Sequence, residues 1–187
     1  VFAARPITDV TFTPRANAAA QKLTFYPTAR SPRYEYRGVM PLHFLDTSGN
    51  PVAEAVIPPE IREALLLFMP VSGEAKADGL RYRVAVLDDS ALRHGAGGMA
   101  IINLSGLTLG GTVNQTKVAL KPGLNPTVAV GRSARVMCRT EVKGKSYQSY
   151  ASTFQLTPKQ RALLILFPPF YKGSLEVQSR LLVDEAR

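Results

Sequence analysis

The sequence is poor in the side chains that most often carry chemistry, since its 187 residues include one cysteine, two histidines and no tryptophan. A single cysteine excludes an intramolecular disulfide, and two histidines leave few of the usual general bases and metal ligands. The sequence has no run of about 18 apolar residues, as a membrane-spanning helix needs. It also lacks the block of about five basic residues found in tails that bind nucleic acid. We therefore expect no enzyme activity, no metal, no cofactor and no membrane span.

The two histidines are far apart in the sequence, and neither has a cysteine or an acid cluster beside it at metal-ligand spacing. His43 falls within a predicted strand, where a structural role is expected. His94 opens a glycine-rich stretch, residues 94–98, that is similar to the oxyanion loop of esterases, but no Gly-x-Ser-x-Gly nucleophile motif accompanies it. We interpret this stretch as a flexible linker. Cys138 lies in an apolar stretch and is expected to be a small core residue.

Two acidic pairs, Asp88 with Asp89 and Asp184 with Glu185, follow predicted strands. Calcium-binding loops place their acids at alternate positions and add a glycine and a distal glutamate, which neither pair does. These acids are therefore expected to end exposed strands and not to bind a cation.

The overall composition is that of a folded protein made of strands and turns. Apolar residues make up 45% of the chain and charged residues 20%, with 14 prolines and 14 glycines. The formal charge of +9 favours an anionic partner but does not identify one. Nucleic acid, acidic envelope polymers, lipid head groups and acidic proteins all remain candidates. Because the basic residues are scattered, a solvated basic surface with no dedicated ligand is the simpler interpretation.

A segment of 14 residues occurs twice: residues 57–70 recur without a gap, 99 residues later, as residues 156–169. Six positions are identical in the two copies, namely Pro59/Pro158, Arg62/Arg161, Leu65/Leu164, Leu67/Leu166, Phe68/Phe167 and Pro70/Pro169. An offset of this size is the length of one small β-sandwich domain. In each copy the pattern predicts a tight turn and then a short strand buried on both faces.

The neighbours of the two copies also correspond. A predicted hairpin precedes each copy, with its turn at residues 46–50 in the first and 143–145 in the second, and an alternating strand follows each. The sequence therefore predicts an all-β protein of two tandem immunoglobulin-like β-sandwich units related by internal duplication, with unit 1 at residues 1–90 and unit 2 at residues 91–187. The alternative is one larger fused sandwich.

One group of residues has the composition of a binding surface. Arg30, Arg33, Tyr34, Tyr36 and Arg37 lie close together in the sequence. Arginine and tyrosine are the residues that most often contact anionic ligands, carbohydrates and protein partners. They are the candidate anion or interface patch, against the alternative that they form an ordinary outward strand face.

The arginines shared by the two copies, Arg62 and Arg161, allow two interpretations. A duplicated ligand site would keep them, but so would an arginine that holds a turn by bonding to backbone carbonyls or to a nearby acid. Two copies in two different surroundings favour the second role, so both are predicted to be structural arginines.

Three further stretches carry a resemblance to a family. A strand at residues 82–90, a strand ending in Asn-x-Ser at residues 98–105 and a Leu-x-Pro-Gly turn within residues 117–123 resemble exported, uncharacterised bacterial all-β proteins. The resemblance covers about a quarter of the chain. It implies a β-sandwich in the periplasm, the cell envelope or outside the cell, and it supplies no catalytic residues. Ala3 and Ala4 are small residues of the kind that flank signal-peptide cleavage sites, in keeping with export.

The expected function is a non-catalytic exported binding or structural module of the bacterial cell envelope, with an unknown protein or an anionic polymer as its partner. The alternative is a protein that binds nucleic acid or another polyanion through its basic surface. Nucleic acid is the less favoured partner, and the sequence does not indicate an oligomeric state.

Overall fold

The structure is a computed structural model that describes residues 1–3, 7–26, 29–71 and 79–186. The predicted all-β class is confirmed: this part of the chain contains sixteen strands and no helix. It forms two compact units, Val1–Ser90 and Ala91–Arg187.

Unit 1 has two sheets that share one core. Its strands are β1 Phe2–Ala3, β2 Thr11–Phe12, β3 Gln21–Lys22, β4 Leu42–Leu45, β5 Pro51–Ala55, β6 Ala64–Pro70 and β7 Tyr82–Asp88. One sheet has the order β1-β6-β7 and the other the order β3-β2-β4-β5. Leu66 and Phe68 from the first sheet pack with Phe12 and Phe44 from the second. The rings of Phe44 and Phe68 meet edge to face with their centroids 4.9 Å apart, so the unit is a sandwich.

Unit 2 is built in the same way from longer strands. They are β8 Gly98–Asn103, β9 Leu109–Val113, β10 Thr116–Leu120, β11 Gly123–Leu124, β12 Val128–Ala129, β13 Ser133–Val142, β14 Lys145–Gln155, β15 Gln160–Phe167 and β16 Gln178–Glu185. One sheet has the order β11-β8-β15-β16, with β12 also pairing with β8, and the other the order β10-β9-β13-β14. Ile101 and Leu164 from the first sheet share a core with Val113 and Val136 from the second.

Apart from the short strands β11 and β12, the two units share one strand order. In each, the strand of the repeated segment (β6 or β15) lies between a parallel first strand and an antiparallel last strand. In each, the opposite sheet consists of two hairpins whose first strands pair with each other: β2 with β4 in unit 1 and β9 with β13 in unit 2. A constant-type immunoglobulin sandwich keeps its first and second strands in one sheet, whereas here they lie in different sheets. The strand order therefore differs from the predicted immunoglobulin-like arrangement, and duplication remains a prediction.

The repeated segment has the predicted local structure in both units. The amide of Ile61 donates to the carbonyl of Pro58 at 2.9 Å, and 99 residues later the amide of Gln160 donates to Thr157 at 3.0 Å. Each turn leads into the central strand, where all side chains of residues 65–68 and 162–166 are buried. The predicted turn and the strand buried on both faces are confirmed.

Both predicted hairpins are also present. The turn between β4 and β5 is held by the Asp46 carboxylate, which accepts the amides of Ser48 and Asn50 at 3.0 Å each. The turn between β13 and β14 has Lys143 and Gly144 at φ values of 51° and 73°. Two consecutive residues with positive φ form the tight turn that matches the twist of an antiparallel hairpin.

The prediction of a flexible linker at residues 94–98 is wrong. His94 is buried, and Gly98 begins β8. The amide of Gly97 donates to the carbonyl of Gln160 at 2.7 Å, and the Gly97 carbonyl accepts the amide of Val130 at 2.8 Å. This stretch is a fixed part of unit 2, because its backbone groups are bonded to two other segments of the unit.

Cys138 is the core residue that its sequence surroundings predict. It is fully buried on β13, and burial raises the pKa of its thiol to about 11. The thiolate is the reactive form, so at pH 8 the folded protein should react with a thiol reagent at least ~100-fold more slowly than the unfolded chain. Labelling with an aromatic disulfide in increasing urea checks this. Rapid labelling without denaturant would contradict it.

Candidate functional site

The predicted patch at residues 30–37 is largely neutralised by its own surroundings. Arg30 lies 59 residues from Asp89 in the sequence, yet its Nε and Nη2 atoms each donate to a carboxylate oxygen of Asp89 at 3.0 Å. The two side chains are only 12% and 15% exposed. A bidentate and largely buried ion pair fixes the position of both groups, so Arg30 braces unit 1 and does not offer a free cation.

The other two arginines of the predicted patch also face acids. Arg33 lies 3.2 Å from a carboxylate oxygen of Glu63, and Arg37 lies 3.6 Å from one of Glu35. All four side chains are well exposed, so these ion pairs add little stability. They do cancel the local positive charge that an anionic ligand would require.

The two tyrosines of the predicted patch are held by internal contacts. The Tyr34 ring meets Phe12 edge to face at 5.7 Å, and its hydroxyl accepts the amide of Thr24 at 2.9 Å. The Tyr36 hydroxyl donates to the carbonyl of Val39, and burial raises the pKa of Tyr36. The structure therefore gives the five residues structural partners and does not form them into an open anion site.

Arg161 is the most deeply embedded charged residue among those described. Its Nε and Nη2 atoms donate to the two carboxylate oxygens of Asp184, each at 3.1 Å, and its Nη1 atom donates to the carbonyl of His94, also at 3.1 Å. The Arg161 side chain is 4% exposed. The His94 ring in turn donates from Nε2 to the carbonyl of Ala162 at 2.8 Å. These bonds tie the segment before β8 to both β15 and β16.

Arg62 occupies the matching position of the first copy but has a different environment. It is exposed, and no hydrogen bond or ion pair joins it to another described residue. The strand register explains the difference. Arg161 pairs with Asp184, whereas the pairing of Ala64 with Asp88 places Ser90 opposite Arg62. The shared bracing role predicted for the two arginines therefore does not extend to Arg62.

In each unit, one acid at the end of the last strand is an ion-pair partner and not a simple strand end. Asp89 holds Arg30 in unit 1, and Asp184 holds Arg161 in unit 2. The two arginines come from unrelated positions of the two units. The comparison of the two copies therefore pointed to the ion pair of Arg161 with Asp184 but not to that of Arg30 with Asp89.

The net charge is confined to unit 2. Residues 1–90 contain ten Lys and Arg and ten Asp and Glu, whereas residues 91–187 contain thirteen Lys and Arg and four Asp and Glu. Unit 1 is therefore neutral, and the whole formal charge of +9 belongs to unit 2. Counting by unit would have shown this from the sequence, since the boundary had been predicted.

Part of this charge lies on one sheet surface, the outer face of sheet β10-β9-β13-β14. Lys117 on β10 and Arg135 and Arg139 on β13 are exposed there, and we call this surface the basic face. The neighbouring core-facing residues of β13 are buried, which fixes the direction of the two arginines. Arg139 donates to the side-chain and backbone oxygens of Ser146, so its charge is positioned but not neutralised.

The rest of the basic face is almost without acids. The strand register aligns Lys117 with Thr112, Met137 and Ala151 across the four strands. Thr112, Met137 and Ala151 therefore lie among the cations, and no aromatic ring does. Glu141 is the one acid that β13 contributes, and it forms no ion pair with a described residue. An extended anion that crossed β9, β10 and β13 would meet one acid and no aromatic ring.

A second exposed feature lies between β15 and β16. Phe170 and Tyr171 are 75% and 73% exposed, and their rings meet edge to face at 4.9 Å. The preceding Pro168 and Pro169 and the following Gly173 mark this segment as a loop. The sequence patterns considered above do not single out this pair.

The described residues offer no group of three or more His, Cys, Asp and Glu side chains that could hold a metal ion. In the same part of the chain, no helix is long and apolar enough to cross a membrane. No model of a known protein family matches the sequence, and no curated protein matches it either.

Proposed function

We propose that this protein is a non-catalytic binding module, exported to the bacterial cell envelope, whose second unit binds an anionic polymer. The observation that carries the proposal is the division of charge, because a neutral unit 1 and a unit 2 at +9 separate a scaffold from a cationic surface. The exported location and the envelope setting rest on the resemblance to exported all-β proteins.

The basic face supports the proposal locally. Lys117, Arg135 and Arg139 lie on the outer side of one sheet, and the exposed turn residues Lys143 and Lys145 add charge at one end of that sheet. Electrostatic attraction over such a surface raises both the association rate and the local concentration of an anionic ligand.

The composition of the basic face favours an acidic polysaccharide over single-stranded nucleic acid. Proteins that bind single strands combine a positive groove with aromatic rings on which the bases stack. The outward residues of β9, β10 and β13 are cations, small residues, Met137 and Glu141, so the basic face offers no stacking platform. An acidic sugar polymer needs only charge and hydrogen-bond donors, which this face does provide. Binding to nucleic acid is the competing outcome of the test.

The proposal predicts salt-sensitive binding that depends on three named cations. We expect the protein to bind a sulfated polysaccharide in 50 mM salt and to lose at least ~30-fold in affinity in 200 mM salt. The triple variant K117Q/R135Q/R139Q should bind at least ~10-fold more weakly in low salt. Its log-log salt slope should be smaller by up to ~3, since each lost contact removes about 0.9 or less. Titration calorimetry at both salt concentrations measures these quantities.

A charge-matched control variant distinguishes binding by the basic face from binding driven by the net charge of the protein. The triple variant R33Q/R37Q/R62Q removes three exposed cations from unit 1, two of which already face acids. It should bind within about twofold of the wild type, because those residues lie outside the basic face. Equal losses in the two variants would overturn the site, and no binding by the wild type in 50 mM salt would overturn the function. Tighter binding to DNA of equal length than to the polysaccharide would favour the competing partner.

A further inference from the structure

The strand at the edge of the basic sheet, β14, has backbone groups that face away from the sheet. Arg135 of β13 exchanges two bonds with Asn114, since its carbonyl accepts the Asn114 amide at 2.7 Å and its amide donates to Asn114 Oδ1 at 2.8 Å. The backbone of Arg135 therefore faces β9. In an antiparallel pair, the residue opposite such a position directs its amide and carbonyl outward. That residue is Thr153.

Two other hydrogen bonds show the same alternation of inward- and outward-facing backbone groups along β14. The amide of Leu156 donates inward to Arg132 at 2.8 Å, so the neighbouring Gln155 faces outward. The carbonyl of Ser149 faces outward as well, because it accepts the amide of Val177 at 3.0 Å. Outward-facing residues therefore alternate along this strand, and the segment at Val177 covers the edge only at Ser149.

What remains is an open edge of three residues: Ala151, Thr153 and Gln155. No described residue bonds to their backbone amides or carbonyls. Their side chains are exposed, whereas those of Tyr150 and Phe154 on the same strand pack on the core. The stretch contains no proline, no charge and no bulge, which are the devices that usually protect an edge strand.

The matching edge strand of unit 1 is shorter and carries a charge, at Glu54. This strand, β5, has five residues and begins with Pro51, which has no amide hydrogen. The carbonyl of Val52 accepts the amide of Arg81 at 2.9 Å, just as Ser149 accepts Val177 in unit 2. Beyond the bonded residue, β5 continues for three residues, to Ala55, whereas β14 continues for six, to Gln155.

We propose that this open edge is a self-association site, at which β14 pairs antiparallel with β14 of a second copy about a two-fold axis. Thr153 would lie opposite its own copy, and Ala151 opposite Gln155 of the other chain. Six backbone groups on each chain would then form hydrogen bonds. The contact is isologous and closes at a dimer.

The charges of the chain permit this pairing despite the formal charge of +9. Residues 150–155 are uncharged, so no like charges meet at the contact. Arg135, on the next strand inward, would be separated from its copy by three strand spacings, or about 14 Å. That distance exceeds the Debye length of about 8 Å at physiological salt. An acidic peptide strand is the other occupant to consider, but the uncharged edge gives it no ion pair along its length.

Such a dimer has a consequence that rests on the proposed function. The two sheets of four strands would join into one of eight, with a basic face from each copy on the same sheet. A polymer that reaches both faces would gain affinity through effective concentration without any new type of contact. Self-association itself needs no polymer, so its test is independent of polymer binding.

Sedimentation equilibrium of the full chain without any polymer tests the proposal. The contact is small, so we expect a monomer at about 1 µM and a growing fraction of dimer above about 100 µM. T153P removes an outward amide that the monomer does not use, and it should remain monomeric throughout. T153K should weaken association at least ~10-fold, because it places like charges directly opposite each other at the two-fold axis.

Q148K provides the matched control, since it adds the same charge to β14 on the other side of the covered Ser149. It should associate within about threefold of the wild type. If T153P fails to fold, T153K against Q148K still decides the question. A wild type that is monomeric at about 500 µM, equal association of T153K and Q148K, or species larger than a dimer would each overturn the proposal.

Discussion

Replacing Gly111 by alanine should unfold unit 2 under conditions in which the wild type is stable. Gly111 lies on β9 directly opposite Cys138 of β13. An added Cβ atom would collide with the Met137 carbonyl oxygen, and it would lie 2.9 Å from the carbonyl carbon of Met137 and 3.0 Å from the Cα atom of Cys138. These are backbone atoms of a central strand, so no side-chain rotation relieves the contact. We expect a loss of about 3 kcal/mol or more in the free energy of unfolding.

The buried thiol of Cys138 reports on this unit alone. Its labelling rate in urea follows the opening of unit 2, and the midpoint for G111A should fall by about 1–2 M. G110A is the matched control on the next residue, where the nearest atom to an added Cβ is the carbonyl oxygen of Val118 at 3.8 Å. That variant should change stability by no more than about 0.5 kcal/mol, or increase it slightly. Equal effects of the two substitutions would show that the strands move apart easily at this point.

The all-β class and much of the local structure could be predicted because they depend on short-range patterns. The turn at Asp46 and the turn at Lys143-Gly144 were marked by residues that bond to their own backbone or accept positive φ. The buried strand at residues 65–68 was marked by an apolar run closed by proline. Each of these signals lies within about ten residues of sequence, so no tertiary contact was needed to interpret it.

The braces could not be predicted in the same way, because they depend on contacts between distant residues. Arg30 and Asp89 are 59 residues apart, and nothing in either local sequence joins them. The repeat pointed to Arg62, but a shift of two residues in the register of the last strand moves the acid away from it. A shift of this kind changes every partner across a strand pair without changing either sequence pattern.

The candidate site was misplaced for a related reason. Arg30, Arg33 and Arg37 were selected because basic and aromatic residues cluster there in the sequence. Two of their acid partners, Asp89 and Glu63, come from other segments, and the third, Glu35, lies on the same segment. Lys117 lies on β10 and shares a sheet face with Arg135 and Arg139 of β13 only through the order of the strands. A basic surface on a sheet depends on pairing, which composition within one segment does not reveal.

Arg161 and Arg62 provide the second large predicted effect, because they are the same residue of the repeat in two environments. R161A should destabilise unit 2 by about 3–5 kcal/mol, since it leaves the Asp184 carboxylate and the His94 carbonyl without their main donor. R161K keeps the charge but not the planar fork that bonds to three oxygens, so it should recover less than half of the loss. Thermal unfolding and the urea dependence of Cys138 labelling measure both variants.

R62A is the control that the repeat itself supplies. Its side chain is exposed and bonds to no described residue, so the substitution should change the free energy of unfolding by no more than about 0.5 kcal/mol. D184N should also destabilise unit 2, because the Arg161 and Asp184 side chains form one ion pair. The double variant R161A/D184N should lose less free energy of unfolding than the sum of the losses in the two single variants. A large effect of R62A, or strictly additive effects of R161A and D184N, would mean that the stability of unit 2 does not depend on this pair. The shared arginine would then have to be explained by a ligand, and polymer binding by R62A would be the next measurement.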